Sequence, residues 1–174
     1  MLNRLRAHLS FANVAATIAL FVAIGGGTAL ALSSADQVPS GATVRGAIGG
    51  DYHAFDAQAS DFGAVASLPM SARHGNRLRD GDVFVNVADW ADAGGQTAPT
   101  TTDTNAGCTG TPRFPSAPPG KVCIYVSGAD HAFNLRGNAV MFGTQGSLNG
   151  FKLNWDASTA GDTFVDASWA YTAP

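Results

Sequence analysis

From Thr43 onward the apolar side chains of this chain recur at every second position, a period that strands satisfy and helices do not. Val44, Gly46 and Ile48 share one face of an extended segment, and Gly49-Gly50 then allows a bulge or turn. Phe62, Ala64, Ala66, Leu68 and Met70 are in phase; Pro69 removes a ladder donor and marks an end or an edge. Val83, Val85 and Val87 alternate with Phe84, Asn86 and Ala88, and two mostly apolar faces suggest a central strand. Val122, Ile124 and Val126 follow the same rule, with weaker candidates at 131–136 and 138–143. Phe151, Leu153 and Trp155 then precede Val165, Ala167, Trp169 and Tyr171 across a turn at 157–162, which reads as a hairpin.

Composition agrees with the pattern. All thirteen acids are Asp, lysine occurs only at Lys121 and Lys152, and 21 glycines supply turns. Good exposed helix formers are therefore scarce, while turn formers abound. The expectation is an all-β domain over 43–174, a β-sandwich or jelly-roll of about seven or eight antiparallel strands. No cluster of Lys and Arg exists to neutralise phosphates, so nucleic acid is not an expected partner.

The front end differs in kind. Leu9–Ala35 carries no formal charge and follows Arg4 and Arg6; its densest part, Val14–Ile24, stops at Gly25-Gly26-Gly27. As a helix that part would be roughly 16 Å long, short of a bilayer core of about 30 Å. Ala29-Leu30-Ala31 places small residues at both positions a signal peptidase reads. Residues 1–31 thus read as a hydrophobic helix serving as signal peptide or uncleaved membrane anchor, and 32–42 as a linker. Export implies a secreted or extracytoplasmic product. A part cut after Ala31 would carry eight basic against thirteen acidic residues, a formal charge of −5.

The leader phrases Phe11-Ala12-Asn13-Val14 and Gly25-Gly26-Gly27-Thr28-Ala29 resemble those of uncharacterised exported proteins of actinobacteria. Pro39-Ser40-Gly41, the run Ala117-Pro118-Pro119-Gly120-Lys121-Val122-Cys123 and the terminal Trp169-Ala170-Tyr171-Thr172-Ala173-Pro174 extend the resemblance to about half the chain. It implies an exported single β-domain with a disulfide and no assigned activity.

Two cysteines in an exported chain ordinarily pair, and Cys108 with Cys123 would tie down the irregular stretch 91–120. His53, His74 and His131 lie at no metal spacing to one another, and without Glu there is no H-E-x-x-H. G-x-S-x-G is missing too, so no enzyme class is indicated. Among the carboxylate groupings, which include Asp51, Asp56 and Asp61 at five-residue intervals, Asp80, Asp82, Asp89, Trp90 and Asp92 form the local group that could serve a ligand or calcium, although Asp beside Gly usually serves turns. Trp155 and Trp169 fall in phase with core residues. The expectation is an exported or cell-surface β-sandwich with a structural or recognition role, needing no cofactor and meeting a cell-envelope or extracellular ligand. The alternative is a carbohydrate-active or calcium-dependent carbohydrate-binding domain using the Asp80–Asp92 region.

Overall fold

The computed structural model describes residues 37–56, 61–72, 77–87, 98–140, 147 and 149–174. The expected N-terminal helix and its cleavage point lie outside these residues. Among the described residues no helix is long and apolar enough to cross a membrane.

The described chain is all-β. Its strands are β1 (Thr43–Ala54), β2 (Phe62–Ser67), β3 (Val83–Asn86), β4 (Val122–Asp130), β5 (Ala132–Ala139), β6 (Gly150–Ala157) and β7 (Gly161–Thr172). They form two sheets, one ordered β1-β7-β4-β3 and the other β2-β6-β5. Ile48, Ile124, Val165 and Trp169 from the first sheet share one buried cluster with Leu135, Phe151, Leu153 and Trp155 from the second. Phe151 meets Trp169 edge-on at 5.1 Å across the gap. The core therefore lies between the sheets, as alternation at these positions requires.

Four details differ from the sequence expectation. β1 runs unbroken through Gly49-Gly50, paired with β7 from Thr43 to Ala54. At Gly50 an added Cβ would come within 2.7 Å of the Tyr52 ring, so packing rather than a turn explains that glycine. Next, the expected hairpin does not form: β6 pairs with β2 and β5, while β7 pairs with β1 and β4. The two apolar rows are in phase because they face one core from opposite sheets. Third, the strands are not all antiparallel, since β3 runs parallel to β4. A parallel pair needs a long crossover, and the chain between Asn86 and Val122, without a strand or helix over its described residues 98–121, supplies it. Finally β3 is an edge strand; its second apolar face is explained by Phe84, which packs on Cys108, Cys123 and Tyr125.

Residues 37–42, read as the end of a linker, pack onto the domain. Val38 is buried and its N–H donates to the Ser71 carbonyl, while Gly41 N–H donates to Ala173.

Candidate functional site

The crossover decides what the outer face of the larger sheet can do. Cys108 and Cys123 are joined in a disulfide, with a sequence separation of 15. Both are buried with Tyr125 in a second, smaller core on the outside of the sheet. Five sheet side chains then grip backbone carbonyls of this loop. Asn86 Nδ2 donates to Cys108, Ser168 Oγ to Pro112, Arg45 Nε to Pro115, Tyr125 Oη to Ser116 and Thr172 Oγ1 to Ala117, at 2.6–3.1 Å. Because the carbonyls face the sheet, side chains at the tip are free to face water.

The tip is a tight turn in which Thr111 and Phe114 exchange backbone hydrogen bonds. It presents Phe114, 72% exposed, with the Arg113 guanidinium 5.7 Å from its ring centre. Beside the tip lies a shallow open cleft of about 520 Å3, lined by Ala47, Ile48, Gly49, Ser127, Asp166 and Ser168. Gly49 leaves its floor flat: a Cβ there would come within 2.6 Å of the Val165 carbonyl.

The sequence-derived candidates are placed differently. Asp80 and Asp82 sit in a 3-10 turn, Asp80–Asp82, before β3. Asp80 Oδ1 accepts the Ala139 N–H at 3.1 Å. Asp82 Oδ2 accepts the Arg79 N–H, and its Oδ1 meets Lys121 Nζ at 2.6 Å. Each carboxylate thus holds backbone or a neighbouring strand in place. Asp89, Trp90 and Asp92 lie outside the described residues, as does His74. Among the described residues no group of three His, Cys, Asp or Glu is placed to hold a metal. Trp155 and Trp169 are core residues, their indoles donating to Thr163 Oγ1 and to the Ala47 carbonyl. His53 pairs with Asp162 at 2.8 Å, both exposed, and His131 Nδ1 lies 3.3 Å from Asp130 Oδ1, an oxygen that is itself buried.

Sequence reasoning missed one polar cluster on the outer face of the smaller sheet. Arg136 grips Asp156 through both terminal nitrogens at 3.0 Å and reaches Asp61 at 3.4 Å. Asn134 Nδ2 adds a third bond to Asp156 at 2.7 Å. Asp61 and Asn134 both adopt positive φ, 68° and 53°, and the β5–β6 register shifts between Phe133 and Arg136. Burial works against the ionised Asp156, yet the bonds from Arg136 and Asn134 outweigh it and hold its carboxyl below the ordinary range. The bond to Asp156 likewise raises Arg136. The guanidinium is committed to two carboxylates, so this cluster clamps a bulge. No spacing rule joins Asp61, Asn134, Arg136 and Asp156; only the pairing of β5 with β6 does.

The sequence matches no family model, and it matches neither a curated protein nor a solved structure.

Proposed function

We propose that this chain acts outside the cytoplasm as a non-catalytic recognition module, exported by its apolar N-terminal segment and released or held at the cell surface. The observation that carries the reading is the clamped loop. Its carbonyls are gripped by the sheet and its ends closed by a disulfide, so Arg113 and Phe114 are displayed in one fixed arrangement. A display fixed in advance loses less conformational freedom on binding. Aromatic and Arg side chains are also those that most often dominate protein interfaces. A buried disulfide is compatible with an oxidising location. The nested pairing of β1 with β7 and β2 with β6 supports a jelly-roll type of sandwich.

The partner class is a cell-envelope or extracellular ligand. Binding of the labelled full chain to isolated envelope material tests this. F114A with R113A is expected to cut binding at least roughly tenfold, as loss of a central aromatic–Arg pair does elsewhere. Unchanged binding, with the fold intact by near-ultraviolet circular dichroism, would reject the loop as the recognition surface.

A further inference from the structure

We infer that β1 is a self-complementary edge through which two copies of this chain join their larger sheets. Among the described residues β1 is paired with another strand on one side only, β7, over twelve residues. A long edge of this kind is a template for another strand, and its charges restrict which strand fits. Arg45 and Asp51 lie on the same outer face, opposite Ala170 and Phe164 of β7. Both are exposed.

In an antiparallel pair of β1 strands centred on Ile48, Arg45 of each copy lies opposite Asp51 of the other. The same register sets Ala47 against Gly49, Gly46 against Gly50 and Val44 against Tyr52. Small residues thus meet small ones and two opposite-charge pairs form about a two-fold axis, the self-complementarity that closed dimers require. Sliding by two residues in either direction loses both pairs at once. Sliding by one reverses the faces.

Two contacts prepare the edge. Arg45 Nε is anchored on the Pro115 carbonyl at 2.7 Å, which leaves its terminal nitrogens for the incoming carboxylate. Asp51 has no partner within the described domain. The Trp169 indole already donates to the Ala47 carbonyl, and that oxygen retains a second lone pair for the partner strand. The product is one continuous eight-stranded sheet with both clamped loops on its outer side. This proposal does not depend on what the loop tip binds.

Sedimentation equilibrium of the oxidised full chain, in density-matched non-ionic detergent to keep the apolar N-terminal segment from associating, tests it. A reversible monomer–dimer equilibrium that weakens with salt is expected. R45D and D51R should each weaken it about tenfold or more, since two opposite-charge contacts become like-charge ones. An equimolar mixture of R45D with D51R should recover wild-type affinity within about threefold, because in the mixed dimer the two reversed side chains face each other with opposite sign and the two native ones do the same. R45D gives up the Pro115 contact; if it loses its near-ultraviolet dichroism, D51R and D51N carry the test, with D51R expected weaker than D51N. A monomer at the highest attainable concentration, dimers indifferent to these substitutions, or a mixture no tighter than its components would overturn the proposal.

Discussion

The two flanks of the sandwich are closed by different means. On the flank where β3 and β5 are the edges, the loop between β3 and β4 and the turn before β3 supply acceptors to consecutive edge amides. Leu135 N–H donates to the Thr100 carbonyl, Gly137 N–H to Asp103 Oδ2 and Ala139 N–H to Asp80 Oδ1. The Asp103 carbonyl also accepts Val85 N–H from β3, so one residue serves both sheets. On the other flank β1 and β2 are linked by side chains. Tyr52 Oη donates to the Gly63 carbonyl at 2.6 Å, and its ring lies 5.5–5.6 Å from those of Phe62 and Trp155. One flank is a capped edge and the other an aromatic seam. Capping exhausts the backbone groups that an edge offers, whereas a seam closes the core and leaves the strand available.

The largest way to break the contrast is to release the loop that feeds the capped flank. C108S with C123S should cost roughly 3 kcal/mol in urea denaturation, the chain-entropy value for a loop of this length. Amide exchange should quicken at Leu135 and Gly137, which depend on residues 100–103, and change little in the middle of β1. Equal loss of protection on both flanks would mean the loop stabilises the whole fold rather than one edge.

The clamp on the capped flank's outer face comes next. D156N should cost about 2 kcal/mol at neutral pH, the scale of hydrogen bonds to a charged group. The sign of its pH dependence follows from the lowered carboxyl. Asp156 stabilises the fold fully above the ordinary carboxyl range, and that contribution disappears as pH falls through the depressed native value. The gap between wild type and D156N should therefore close in acid and open toward neutrality. A gap that widened in acid would contradict the assignment of Asp156 as the ionised partner of Arg136.

Asp80 tests the cap itself. D80A removes the acceptor for a largely buried amide and should cost about 1–2 kcal/mol. Exchange at Ala139 should quicken more than at any other β5 amide. Asp80 also shows where sequence reasoning stopped. Its place beside Gly81 marked it correctly as a turn residue, but nothing local says that its carboxylate reaches a strand 59 positions away. Strand existence was legible because apolar period is local: the phases of Val83, Val122 and Phe151 all survive in β3, β4 and β6. Strand partnership was not, since 151–155 and 165–171 would read the same in one hairpin or in two facing sheets. Asp103 carried no signal at all, being one Asp in a Thr-rich stretch. The Cys108–Cys123 pair was readable because two cysteines leave one intramolecular pairing.

The smallest effect belongs to Y52F in the seam, and it is the sharper test of the contrast. Y52F keeps the ring against Phe62 and Trp155 and deletes only the bond to the Gly63 carbonyl. A partly exposed neutral hydrogen bond contributes about 0.5–1 kcal/mol net, so thermal denaturation should shift by a few degrees at most. Y52A removes the ring contacts as well and should cost more, because each aromatic pair adds roughly 0.5–1.5 kcal/mol beyond area burial. If the seam works through packing, the step from Phe to Ala at this position exceeds the step from Tyr to Phe. If the single hydroxyl holds the flank, the order reverses, and β1 and β2 would then be tethered at one point, whereas β5 is tethered at several.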